Sequence, residues 1–163
     1  DENVTPIQNT IETLLDVTNG QTFDAIVMSN VLEHIKDDRA ALKILSDLLR
    51  PGGYLLLFVP ALQVLFSDLD RAVGHYRRYH QKDLREKAAT AGFEIVKLRY
   101  FDWLGAIAWW CANVLLKQTN INPNSAKLYD RFGIPVTRAV EHIISPPFGK
   151  KRKLFSRKTE IVP

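Results

Sequence analysis

The residues best equipped for chemistry fall in two stretches. The first is FDAIVMSNVLEHIKDD at 23–38, where an apolar run from Ala25 to Met28 stops at Ser29 and Asn30. Glu33 and His34 follow within a few positions, then Asp37 and Asp38. The second lies between Pro60 and Gln81 and holds Asp68, Asp70, Arg71, His75, Tyr76, Arg77, Arg78, Tyr79 and His80. An imidazole titrates near neutral pH and suits a general base, and an arginine fork can clamp an acidic group through two parallel hydrogen bonds. His75 is therefore expected to act as a base or as a contact to a reacting molecule. Tyr76, Arg77 and Arg78 are expected to bind that molecule. The structural alternatives are that Glu33 and His34 cap the following helix, and that Arg71 pins a lid through Asp68 or Asp70.

The elements that would position these groups can be read from apolar patterning. Phe23 to Asn30 is continuous rather than alternating, which predicts a strand buried on both faces of a parallel sheet. Asp37 and Asp38 suit a helix N-terminus, where a carboxylate meets the positive end of the helix dipole. Ala41, Leu42, Ile44, Leu45, Leu48 and Leu49 then recur at spacings of three and four, one apolar stripe. Burying each of those leucines contributes roughly 1.5–3 kcal/mol, enough to dock the helix on a sheet. Pro51, Gly52 and Gly53 end it, and Tyr54 to Val59 is the next buried strand, stopped by Pro60. This is a βαβ unit, expected to have a right-handed crossover. Ligands of such sheets bind outside the carboxyl ends of the strands, so Ser29 and Asn30 stand where a strand meets a ligand crevice. Downstream, Gln81 to Ala91 reads as a helix ended by Gly92, and Phe93 to Phe101 as a strand. Near the start, Thr5 to Leu15 reads as a helix with Thr5 as its cap and Pro6 at its first position.

The chain's 163 residues and 25% charged composition fit one domain with a sizeable core. A single cysteine, Cys111, excludes an internal disulfide and points to a reducing, cytoplasmic setting. The first residue is Asp and the one Met is Met28, so the sequence is expected to be the later part of a longer protein. Much of the net charge of +4 lies in KKRKLFSRK at 150–158, expected to be a solvated basic tail. YFDWLGAIAWWCANVLL at 100–116 carries Asp102 and is too short to span a bilayer. Trp103, Trp109 and Trp110 there suit a core or dimer face, with an interfacial membrane patch as the alternative.

FDAIVMSNVLEHI, ALKILSDLLRPGGYLLLFVP and LREKAATAGFEIVKLRYF together resemble the second half of class I S-adenosylmethionine-dependent methyltransferases. LDRAVGHYRRY at 69–79 resembles the loop of a bacterial small-molecule subgroup of that family, of the methyltransferase type 11/12 kind. The match runs over about residues 10–149, and the joint spacing of the blocks carries it. It implies an α/β chain with a partial Rossmann-like methyltransferase fold: a mostly parallel sheet flanked by helices, with the N-terminal strands missing. It implies S-adenosylmethionine as cofactor, with Ser29, Asn30, Val31 and Leu32 lining its methionine side. Thr10, Ile11 and Glu12 stand where the family has an adenine-contacting turn, although the aspartate expected in that turn is Thr10 here.

Two departures qualify the resemblance. The eight glycines contain no G-x-G turn of the kind that approaches the cofactor, so the chain as it stands is expected to bind S-adenosylmethionine poorly. The family's closing strand follows a P-F-G turn. Pro147, Phe148 and Gly149 supply the turn, but the next residues read as too charged for a central strand. The expected organisation is thus a truncated methyltransferase domain at 1–149 and a basic tail at 150–163. The implied reaction is methyl transfer to a small molecule, with no metal. SPPF at 145–148 lies in the wrong place to mark a nucleic-acid methyltransferase, and no basic–aromatic surface supports nucleic acid as a partner. Two rivals stay open: a non-catalytic half-domain that dimerises through an exposed sheet edge, and a peripheral membrane protein acting on a lipid-linked acceptor.

Overall fold

The structure is a computed structural model and describes residues 5, 7–118, 123–143 and 146–159. A 3₁₀ turn at Ile11–Thr13 leads into α1 (Leu14–Val17), so the first helix starts at residue 11 and not near Thr5. Then come β1 (Phe23–Ser29), a 3₁₀ turn at Leu32–His34, α2 (Asp38–Leu48) and β2 (Leu49–Pro60). The loop after β2 contains a 3₁₀ turn at Gln63–Leu65 and α3 (Asp68–Ala72), and gives way to α4 (Gln81–Thr90) and β3 (Phe93–Phe101). A helical segment follows: α5 (Trp103–Trp109) running into a π-helix at Trp110–Leu115, α6 (Pro123–Leu128) into a second at Tyr129–Gly133, and α7 (Ile134–Ile143). The last element is β4 (Lys151–Lys158).

The strand order is β1–β2–β4–β3. β1 and β2 pair in parallel, whereas β4 runs antiparallel to both neighbours. β3 therefore points the same way as β1 and β2, but the sheet is mixed. The α4 connection sets β3 one place away from β2, and β4 fills the gap.

This placement corrects the expected solvated tail. Arg152, Leu154 and Ser156 alternate onto the buried face, in register with Val59, Leu57 and Leu55. The charges that argued against a central strand are handled individually. The Arg152 guanidinium lies 3.5 Å over the Tyr100 ring, Lys153 Nζ lies 5.4 Å over Phe58, and Lys158 Nζ donates to the Leu49 carbonyl at 2.7 Å.

α2 packs its apolar stripe on the sheet as its spacing demands, with Ala41, Leu42, Leu45 and Leu48 buried. Asp37 caps it by accepting from the Ala40 N–H at 3.0 Å. β1 departs from expectation: it lies at the sheet edge and is not buried on both faces, with Val27 66% exposed.

If β4 is a central strand, Leu154→Ala should destabilise the chain by about 2–5 kcal/mol in urea denaturation. A change within about 0.5 kcal/mol, as at a solvated position, would return residues 150–158 to a tail.

Candidate functional site

β1 ends at Ser29, and Asn30 then takes a left-handed backbone (φ 51) while its N–H donates to the Phe58 carbonyl at 2.9 Å. That turn leaves Ser29, Asn30 and Val31 exposed at the carboxyl end of the strand. Leu32 is fully buried in the core and is not exposed with the rest of the turn. Thr10 and Glu12 are exposed beside the first helical turn, while Ile11 is half-buried against the core.

The loop after β2 is organised by two buried carboxylates. Asp70, fully buried, accepts from Arg78 Nε at 3.0 Å and Nη2 at 2.9 Å, from the Ser67 N–H at 2.9 Å and hydroxyl at 3.0 Å, and pairs with His75 Nδ1 at 2.8 Å. Asp38, at the start of α2, accepts from Arg77 Nη1 at 2.7 Å, Lys87 Nζ at 2.7 Å and the Tyr79 hydroxyl at 3.0 Å. Arg77 also donates through Nη2 to the Lys36 carbonyl at 2.7 Å.

These geometries correct the expected acceptor clamp. The Arg78 guanidinium is buried on Asp70, and both Nη atoms of Arg77 are committed to α2 and its approach. The two arginines hold the loop in place. Arg71 pairs with Asp68 at the surface, as the lid alternative expected. Tyr76 stays exposed at the lip, its N–H donating to the Glu33 carbonyl at 2.9 Å.

His75 is brought to the end of β1. Its Nε2 is 3.9 Å from Glu33 Oε1, and its ring meets that of His34 edge-on at 4.6 Å between centroids. With Nδ1–H donated to Asp70, Nε2 is the ring nitrogen that faces Glu33, and it carries the lone pair in the neutral ring. Glu33 is fully buried, and neither carboxylate oxygen has a hydrogen-bond partner among the described residues. Burial pushes its carboxyl above the usual range, against the pull of its own backbone and of His75.

Sequence reasoning placed Glu33 and His34 near the crevice but missed Asp70 as the partner of His75. The i, i+5 spacing around Gly74, whose φ is 82, was the available signal. It also missed Lys150, whose Nζ lies 4.2 Å over Trp109 while Arg78 lies 4.7 Å over the same ring. Burial pushes the Lys150 ammonium down to about 8.

A sequence profile of the methyltransferase domain family matches residues 3–98, and the chain belongs to that family. Among solved structures it is similar to a SAM-dependent methyltransferase from Archaeoglobus fulgidus (16% identity, TM-score 0.57, 97% of this chain and 69% of that one). It is similar also to S-adenosylmethionine-dependent methyltransferases from Mesorhizobium loti (10% identity, TM-score 0.53, 85% and 63%) and Thermotoga maritima (17%, 0.51, 86% and 58%). At these identities the likeness is one of fold, and this chain spans about three-fifths to two-thirds of their length. No curated protein matches the sequence.

Burial works against both Asp38 and Asp70, but their cationic and hydrogen-bonding partners outweigh it and hold both carboxyls below the usual range. Unfolded aspartate titrates near about 3.9. The stabilisation from each is complete above that value and is lost as pH falls through the lower, folded value. Thermal unfolding followed by circular dichroism should therefore show stability dropping below about pH 4. Asp70→Asn should weaken that acid dependence and destabilise the chain at neutral pH by about 3–5 kcal/mol, because Arg78 is left buried without its carboxylate.

Proposed function

We propose that this chain forms the acceptor side of an S-adenosylmethionine-dependent methyltransferase acting on a small molecule. The observation that carries this reading is the placement, on a methyltransferase-family fold, of the Asp70–His75 pair against Glu33 and His34, a few residues after the exposed Ser29–Asn30 turn that ends β1. When bound, S-adenosylmethionine supplies an electrophilic methyl group. The residues present fit one wall for it: Ser29, Asn30 and Val31 from the turn, with Thr10, Ile11 and Glu12 toward the adenine. The Gly-rich turn that would form the other wall is not in this sequence.

Alignment of acceptor and methyl is the main task in such a transfer. His75 would take the proton of an acceptor hydroxyl or amine, with Asp70 holding its ring and Tyr76 contacting the acceptor at the lip. Lys150 is a second candidate base on the same side.

A second reading is favoured by the sheet. β1 leaves one edge without a strand partner among the described residues, and Val27 and Tyr54 are exposed on it and beside it. Such an edge suits a partner strand, from a cofactor-binding half or from a second copy in a homodimer. The peripheral-membrane alternative rests on the exposed Trp110 and Ile107; no helix among the described residues is long and apolar enough to cross a membrane.

Titration calorimetry of the chain alone with S-adenosylmethionine should show no tight binding, and micromolar affinity would overturn the one-wall reading. In a protein that joins this chain to a Gly-rich half, Asn30→Leu should weaken cofactor binding and leave the thermal transition in place. In the same protein, His75→Ala should lower turnover by about 10²–10⁴-fold with little change in cofactor affinity. An unchanged rate across the pH range would remove the histidine from the reaction.

A further inference from the structure

We propose that Glu33, His34 and His75 form a binding site for a divalent transition-metal ion. Each offers one donor atom, and the three donors lie within 4.8 Å of one another. Bonds of about 2.0–2.2 Å to nitrogen and oxygen require them to close by roughly an ångström. His34 can supply most of that movement, because it is exposed on a 3₁₀ turn.

Two further features point to an ion. The Asp70 carboxylate holds His75 Nδ1 at 2.8 Å, which directs Nε2 at Glu33, 3.9 Å away. A carboxylate behind a histidine is the usual support of a metal-ligating imidazole, since it sets the tautomer and raises the basicity of the other nitrogen. Asp70 is itself occupied by Arg78 and Ser67 and is not free to ligate. The second feature is Glu33, whose side chain has no exposed surface and whose oxygens both lack a hydrogen-bond partner among the described residues. A buried carboxylate left bare is unfavourable, and a cation shared with two imidazoles would satisfy it.

The donor set selects the ion. Two imidazoles and one carboxylate suit Zn²⁺, Co²⁺ or Fe²⁺, whereas Mg²⁺ and Ca²⁺ favour all-oxygen sets. Three protein ligands leave a coordination position open, as in reactive rather than purely structural sites. With an ion on Nε2, His75 is a ligand and not a base. The site does not depend on methyl transfer, because ion binding is measured directly.

The test is calorimetry of the chelator-treated chain with Zn²⁺, Co²⁺ and Mg²⁺, together with the visible spectrum of the Co²⁺ form. One Zn²⁺ or Co²⁺ per chain should bind with micromolar or tighter affinity, and Mg²⁺ at least 100-fold more weakly. Zn²⁺ should raise Tm, as any ligand of the folded state does. His34→Ala changes an exposed side chain and should keep the fold while weakening Zn²⁺ at least tenfold. Glu33→Gln and His75→Ala should weaken it further, and His142→Ala, at an exposed position on α7, should not. Equal weak binding of Zn²⁺ and Mg²⁺, or Zn²⁺ affinity and Tm shift unchanged in folded His34→Ala and His75→Ala, would overturn the site. A failed cofactor titration would leave these results unaffected.

Discussion

A fully buried carboxylate is tolerable only when it is saturated with donors, and Asp70 is the group around which the loop after β2 is built. It gathers Arg78, His75 and both donors of Ser67. Each of these contacts places something else. Arg78, so held, lies on Trp109, whose indole N–H donates to the Leu65 carbonyl at 3.0 Å, tying the helical segment after β3 to the loop. His75, so held, turns Nε2 toward Glu33 in the 3₁₀ turn that follows β1. Without Asp70 the histidine would have no fixed tautomer and the arginine no compensating charge.

The segment GHYRRY at 74–79 divides its side chains between two such carboxylates. His75 and Arg78 go to Asp70; Arg77 and Tyr79 go to Asp38; Tyr76 alone stays exposed. The loop is thereby fastened to α3 on one side and to the N-terminus of α2 on the other. Most of the charge in this motif is structural. The polar groups left for chemistry beside this motif are the Glu33 carboxylate, which has no hydrogen-bond partner among the described residues, His75 Nε2, and the exposed Ser29, Asn30 and His34.

The sheet shows the same economy with charge. β4 carries Lys151, Arg152, Lys153, Arg157 and Lys158, yet it occupies a central position because its period of two sends only Arg152, Leu154 and Ser156 to the buried face. Lys153 lies over the Phe58 ring, and Arg157 and Lys158 reach the carbonyls of Gly52 and Leu49 at the sheet end. β1, apolar throughout its middle, occupies the edge instead. Hydrophobicity alone would have exchanged those two positions.

The sequence by itself determined the local elements. The stripe from Ala41 to Leu49 set α2 to within a residue, the Asp37 cap set its start, and the runs at 23–30, 54–59 and 93–101 set three strands, although β2 begins at Leu49 rather than Tyr54, because helix and strand periods and turn residues act over a few positions. It also placed Ser29 and Asn30 at a strand end, since that end follows from where the apolar run stops. Tertiary structure alone decided which charges are partners. Whether Arg78 meets a ligand or Asp70, and whether KRKLFSRK is a tail or a strand between β2 and β3, depends on groups distant in the chain. The pairing of Ser156 with Leu55 and of Tyr79 with Asp38 joins residues about 101 and 41 positions apart. Burial, which strips a carboxylate such as Glu33 of water, is likewise a property of the packed whole.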